Sequence, residues 1–282
     1  MEHIKKAIER AKQERLLVSL PVQSPAAAGG MVPDAPAGPG KDAGRSPAAD
    51  SAKIVAIDRR HLQAMRIIAY DPAEVRSNHF DMLRTQVLQR MEAASYQTIA
   101  VTSPRVGCGK SITAINLALS MARQSEQSVL LVDLDLRKPQ IARYLGLSPD
   151  AGIHDVIAGK CVVSEALVTP DLCGHRLAVL ACPNPVANPT EHLVSSAMKT
   201  ALTGLKKGPG YKIIIFDLPP MLSSDDFLAF LPQVDCALLV ASSGESTVHD
   251  IAECERLIDP EKFLGCVLNK VTEVETAYYH YG

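Results

Sequence analysis

The chain has 282 residues, with 29 Lys and Arg against 31 Asp and Glu and a formal net charge of -2, so no chain-wide electrostatic bias draws it to nucleic acid or an anionic membrane, and a generic basic DNA-coating protein is excluded. Its length allows one or two domains, and a composition that is 47% hydrophobic but 4% aromatic, with no Trp, requires an aliphatic core. Seven cysteines without a CxxC pair give neither a disulfide framework nor a zinc-finger spacing and read as reduced core thiols in the cytosol.

Taken in chain order, residues 1–20 begin with Lys5, Lys6, Arg10, Lys12 and Arg15 interleaved with Glu2, Glu9 and Glu14. That pattern has no apolar centre for a secretory signal and predicts a short charged helix, with Ile4, Ile8 and Ala11 on one side. Residues 21–50 hold six of the chain's 19 prolines among Ala, Gly, Ser and Asp, a composition too poor in apolar surface to offset ordering entropy, and read as a disordered linker. Residues 51–270 alternate short apolar runs with helix-length stretches. Helices are predicted over Ala73–Met91, Lys110–Arg123, Glu191–Lys206 and Thr247–Ile258. Strands are predicted over Thr98–Thr102, Val129–Asp133, Leu177–Ala181, Ile213–Asp217, Ala237–Ala241 and Leu264–Asn269. Strands apolar on both faces and separated by helices predict an α/β domain whose mostly parallel sheet is covered by helices on both faces. No apolar run approaches the ~18 residues of a membrane helix.

The chemistry-bearing residues gather at strand ends. Thr98–Thr102 runs into Pro104-Arg105-Val106-Gly107-Cys108-Gly109-Lys110-Ser111, and an apolar helix follows. Glycines let backbone N–H groups close on phosphate oxygens, Lys110 reaches the β- and γ-phosphates of ATP, and Ser111 sets its hydroxyl on Mg²⁺. Gly107, Cys108, Gly109, Lys110, Ser111 and Ile112 are therefore the expected nucleotide contacts. Pro104 stands where the standard motif has its first Gly, so the motif by itself is imperfect; with the flanking strand and helix, the expected class is a P-loop NTPase of the deviant Walker A type. The second strand ends in Asp133-Leu134-Asp135-Leu136-Arg137, two carboxylates on one side of an extended chain at the edge where ligands of parallel sheets bind. Asp135 could also only cap the following turn. Ile213–Phe216 ends in Asp217, an acid that needs a nearby cation. Ser111, Asp135 and Asp217 are the expected Mg²⁺ ligands.

These three segments together resemble the bacterial tyrosine autokinases of capsule and exopolysaccharide synthesis, over roughly residues 73–282. In that family an Asp-x-Asp-x-Arg motif, here Asp133, Asp135 and Arg137, follows the phosphate loop, and an apolar strand then ends in Asp and a Pro-Pro pair, here Asp217, Pro219 and Pro220. Asn188-Pro189-Thr190-Glu191 and Val267-Leu268-Asn269-Lys270 also match, with Asn269 where the adenine is contacted. Exosortase-associated autokinases are similar in their charged N-terminal helix, Pro/Ala-rich linker and lack of a membrane anchor. Three of the seven tyrosines, Tyr278, Tyr279 and Tyr281, lie in the tail 271–282 and resemble the family's autophosphorylated cluster; a sticky tail docking on a neighbouring subunit is the other reading. The resemblance implies transfer of the ATP γ-phosphate to these tyrosines, with Lys110, Asp133, Asp135 and Asp217 catalytic, Asp133 as the base, and Arg137 and Asn269 on the nucleotide. It also implies a membrane-bound polysaccharide co-polymerase or chain-length regulator as activator, a cognate phosphatase, no nucleic-acid partner, and a cytoplasmic protein peripheral to the inner membrane through its partner.

Four positions, Asn78, Asp81, Leu218 and Cys108, depart from the family. Its ring-forming Glu-x-x-Arg-x-x-Arg corresponds here to Asn78, Asp81 and Arg84, which leaves a homo-oligomer open. Leu218 replaces a Ser or Thr, Cys108 brings a thiol that oxidation would turn against the nucleotide, and Arg105 stands at the signature Lys of partitioning-type switch ATPases. A switch ATPase, or a nucleotide-binding scaffold without catalysis, are the alternatives.

Overall fold

The computed structural model describes residues 16–21, 53–124, 128–207 and 210–271. The charged segment before residue 16, all of the linker expected over residues 21–50 except Pro21, and the tail tyrosines Tyr278, Tyr279 and Tyr281 fall outside the described residues. The last part of the expected 1–20 helix is corrected: Leu16–Pro21 is a strand, β1, laid parallel against the edge of the sheet. A run of Leu, Leu, Val, Ser and Leu finds backbone partners there, and Pro21 closes it.

Along the chain the further strands are β2 (Lys53–Val55), β3 (Thr98–Thr102), β4 (Val129–Asp133), β5 (Val168–Pro170), β6 (Leu177–Leu180), β7 (Ile213–Asp217), β8 (Cys236–Ser242) and β9 (Phe263–Val271). They form one sheet in the order β1-β9-β8-β3-β7-β4-β6-β5-β2. Every described neighbouring pair is parallel except β5 with β6. The central strands are buried along their whole length, and alternate residues feed two separate cores. Ile99, Val101, Leu131, Ile215 and Leu238 face one core. Ala100, Leu130, Val132, Phe216 and Leu239 face the other. This is the period-two signature of a sheet sandwiched between helix layers.

The first layer carries α1 (Arg59–Ala64), α2 (Asn78–Ala93) and α3 (Lys110–Ala122). In α3 every residue but Ile112 is buried, because the sheet lies on one side and α2 on the other. Asp81 of α2 ties the pair together. Its carboxylate accepts from Arg123 Nη2 at 2.6 Å, Arg84 Nη1 at 3.0 Å and the Ser120 hydroxyl at 2.5 Å. Asp81, which departs from the ring motif, and Arg84, which keeps it, are thus both turned into the chain's own helix packing.

Of the short helices, α4 (Ile141–Leu145) packs into the first core, and α5 (Ile153–Ile157) and α6 (Val163–Ala166) into the second. The predicted helix over Glu191–Lys206 is two helices, α7 (Pro189–Val194) and α8 (Ser196–Lys207). Ser195 is extended between them, and its hydroxyl accepts from Met198 N at 3.1 Å, so it caps the second helix and ends the first. The second layer is completed by α9 (Asp226–Phe230) and α10 (Val248–Leu257). All seven cysteines are free thiols. Among the described residues no helix is long and apolar enough to cross a membrane.

The start of β3, which aims the phosphate loop, is anchored by Asp235. Its Oδ2 accepts from Gln97 N at 2.9 Å, Thr98 N at 2.8 Å and Thr98 Oγ1 at 2.7 Å. Partial burial raises this carboxyl, but the bonds from Thr98 and Gln97 outweigh it and hold it below the usual range. Asp235→Ala is expected to lower stability by about 3 kcal/mol, read from the urea midpoint, because buried donors lose their acceptor. Since the folded-state value is depressed, the deficit is full above the ordinary Asp range and shrinks as the pH falls through it.

Candidate active site

The loop from Ser103 to Gly109 turns the chain from β3 into α3 through two left-handed glycines, Gly107 at φ 91° and Gly109 at φ 88°. Gly109 immediately precedes Lys110, the first residue of α3, so the loop amides and the helix N-terminus face one point. Asn269, at the end of β9, donates from Nδ2 to the Cys108 carbonyl at 2.9 Å. A Cβ on Gly109 would lie 2.2 Å from that Nδ2. Asn269, expected at the adenine, thus lines the cavity and also braces the phosphate loop.

The sheet supplies the acids. In the paired register of β4 and β7, Asp133 stands directly opposite Asp217, and Lys110 reaches across from α3. Its ammonium lies 2.8 Å from Asp135 Oδ2, 3.2 Å from Asp217 Oδ1 and 3.3 Å from the Ser111 hydroxyl. Burial alone would lower the Lys110 ammonium, but Asp217 and Asp135 hold it above the ordinary lysine value. Burial and the Asp217 charge push Asp133 well up, against its bond from Ile141 N. Burial also raises Asp217, with Lys110 and Ser111 pulling the other way.

Lys110, Ser111, Asp133, Asp135 and Asp217 are therefore brought together as the sequence implied, but they are not equivalent. Asp135 lines a cavity of about 430 Å³ beside the loop, together with Gly107, Gly109, Lys110, Ser111 and Ile112. Asp133 is fully buried off that wall. Its Oδ2 accepts from Gln140 N and Ile141 N at 3.0 Å each, and its Oδ1 from Asp135 N at 3.3 Å.

Among the described residues no three His, Cys, Asp or Glu side chains form a ready-made metal cage. The oxygen donors nonetheless fit a hydrated Mg²⁺, which takes one or two carboxylates and completes its shell with water and phosphate. Buried Asp217 Oδ2 has no hydrogen-bond partner, and a single ammonium faces three acids.

Other expectations are altered. Arg137 lines the cavity, but its guanidinium is committed to Asp226, Nε to Oδ2 at 2.5 Å and Nη2 to Oδ1 at 3.1 Å. Thr190 donates to the same Asp226, so the matching Asn-Pro-Thr-Glu segment braces Arg137. Cys108 is 2% exposed with its sulfur 3.5 Å from the Ser246 hydroxyl, which makes it a packed thiol rather than an exposed oxidation site. Leu218 is fully buried in the second core; a hydroxyl there is replaced by packing. Arg105 is paired bidentately with Asp250, at 2.8 and 3.1 Å, and so is not a second phosphate cation. The cavity also takes Arg66, His79, Arg143 and Tyr144, which no motif signals because they come from α2, α4 and the turn after α1.

A family model described as an AAA domain matches residues 96–241. The chain is 30% identical over 224 residues to the tyrosine-protein kinase YwqD of Bacillus subtilis (strain 168), covering 78% of this chain and 92% of YwqD. Among solved structures, the chimerical protein CapA2B2 superposes with a TM-score of 0.67 at 25% identity, covering 77% of this chain and 93% of that one. The kinase domain of the Escherichia coli tyrosine kinase ETK gives 0.65 at 27% identity, covering 75% and 82%.

The two loop glycines differ in what a side chain would meet. Gly107→Ala faces open space and is expected to cost about 1 kcal/mol for its left-handed backbone. Gly109→Ala adds the collision with Asn269 and is expected to cost about twice that, with Asn269→Ala recovering part of the loss in the double mutant. Additive losses in denaturant titration would show that the two residues do not touch.

Proposed function

The chain belongs to the bacterial protein-tyrosine kinases, and from that premise we propose that it moves the γ-phosphate of ATP to the tyrosines of its own tail, Tyr278, Tyr279 and Tyr281. The observation that carries the proposal is the Lys110 ammonium between Asp135 and Asp217 at the mouth of the phosphate loop. Phosphates entering the loop compete with the two carboxylates for Lys110, whose charge then stabilises the transferring group together with the loop amides. Ser111, Asp135 and Asp217 would hold Mg²⁺, which neutralises charge on the phosphate oxygens.

In the transfer, the bond between the γ-phosphorus and its bridging oxygen breaks, and its electron pair leaves with ADP. The tyrosine oxygen forms the new bond, and the phenolic proton passes to a carboxylate. A phenol of pKa about 10 needs such an acceptor at neutral pH. Asp133 suits that role because burial and Asp217 raise its proton affinity; it lies buried behind the cavity, its Oδ1 accepting from the amide of Asp135, which lines the cavity.

The same reading places the chain in capsule or exopolysaccharide assembly, activated by a membrane-bound polysaccharide co-polymerase and reset by a phosphatase. A switch ATPase is less well supported, since Arg105 is engaged by Asp250. A scaffold without catalysis is less well supported, since Lys110 and the acids are assembled.

Purified chain incubated with labelled ATP and Mg²⁺ tests the proposal. Label on tyrosine is expected. Lys110→Ala should abolish it, and Asp133→Asn should slow it about 100-fold or more while nucleotide still binds. Phe at all three tail tyrosines should remove most label and leave nucleotide binding intact. Free phosphate without labelled tyrosine would establish the switch ATPase, and binding without turnover the scaffold.

A further inference from the structure

The cavity wall beyond the phosphate loop carries more positive charge than its own carboxylates balance. Of the cationic residues that line it, Arg76 is paired with Glu74, Lys110 with Asp135 and Asp217, Arg137 with Asp226 and Lys270 with Glu245. Arg66, Lys138 and Arg143 also line it and are exposed. Among the described residues none of these three makes an ion pair; Arg143 Nη1 donates to the neutral Gln140 Oε1 at 3.1 Å.

The three are held on rigid supports that connect to the acids. Arg66 is left-handed at φ 63°, a backbone state that a side chain-bearing residue keeps only where its surroundings impose it. The imposing group is Asn116 of α3, fully buried, which donates to Arg66 O at 3.1 Å and accepts from Ile68 N at 2.8 Å and Ala69 N at 3.0 Å. The Lys138 amide is bonded to both the carbonyl and the carboxylate of Asp135, at 3.0 and 3.1 Å. Arg143 rides on α4, whose first amides are held by Asp133, and its carbonyl accepts from His61 Nε2 at 2.9 Å.

The sequence supplies anions of matching placement. β9 ends at Val271, just after Asn269 and Lys270, which line the same cavity. The chain then continues as Thr272-Glu273-Val274-Glu275-Thr276-Ala277-Tyr278. Glu275 and Glu273 precede the first tail tyrosine by three and five residues, roughly 10 and 17 Å in an extended chain.

We propose that Arg66, Lys138 and Arg143 form a subsite for acidic residues N-terminal to the acceptor tyrosine, and that its occupant is the Glu273–Glu275 run of the chain's own tail. The proposal rests on the tyrosine-kinase reading above and adds its specificity: acidic side chains on the cationic wall bring the following tyrosine to Asp135. These residues position the peptide and take no part in the transfer.

The test uses full-length chain with Phe at the three tail tyrosines, so that it phosphorylates only added substrate, and a synthetic peptide of residues 271–282. Replacing Glu273 and Glu275 by Gln in the peptide should raise its KM about fivefold, with kcat and the KM for ATP unchanged, and the rise should fade at high salt. Changing Arg66, Lys138 and Arg143 to Gln in the chain should raise the KM of the acidic peptide equally and leave that of the Gln peptide unmoved. Equal KM values for the two peptides, or a rise in the KM for ATP in the wall variant, would overturn the proposal, the second by assigning the wall to the nucleotide. If no tyrosine is labelled, the kinase reading fails separately. Fluorescence anisotropy of the two peptides then decides the subsite, with tighter binding of the acidic form supporting it and equal binding refuting it.

Discussion

A lysine ammonium buried between two carboxylates governs the organisation of this protein. Ions removed from water lose several kcal/mol of solvation each, which attraction repays only in good geometry. Lys110 meets that condition at 2.8 and 3.2 Å from Asp135 and Asp217. Asp133 makes no ion pair among the described residues, and it is the member whose proton affinity burial and Asp217 raise well above the ordinary value. The cluster is therefore stable but under-neutralised, with one orphaned oxygen on Asp217, a state poised to accept a further cation and to hand its ammonium to phosphate.

The sheet makes this possible through register. Asp133 and Asp217 are paired residues at the ends of adjacent parallel strands, and β3, beside β7, ends at the same lip. Shifting β4 or β7 by one residue would turn its acid toward a helix layer instead. The two cores on alternate residues resist such a shift, because every side chain of the central strands is buried. Packing far from the site thus sets the distances within it.

Legibility followed from how local each signal is. β3, β4 and β7 match the predicted spans to the residue, because three or four consecutive apolar residues ending in a turn or an acid admit few other structures. The phosphate loop was likewise readable from contiguous residues. The short elements were not: β2, β5 and α4 to α6 are three to five residues long, less than two helical turns or a single strand alternation. Ser195 split a predicted helix through one extended residue. The destination of side chains was least legible, since Arg137 finds Asp226 and Asn269 finds Cys108 across 89 and 161 residues, and no local pattern carries such partners.

The departures from the family pattern share one physical character. Asp81 and Arg84 stand where the ring motif has residues that face a neighbour, yet here Asp81 accepts from Arg84, Arg123 and Ser120 within the chain. Leu218 takes the place of a hydroxyl and fills the core. Cys108 is packed against Ser246, and Arg105 is drawn to Asp250 at the N-terminal turn of α10. Each of these side chains is satisfied within the chain, while Lys110, Ser111 and the three acids keep their places. The transfer chemistry is thereby separated from assembly: what these positions change is how the chain meets its surroundings, and the charges that act on phosphate are left as the sheet sets them.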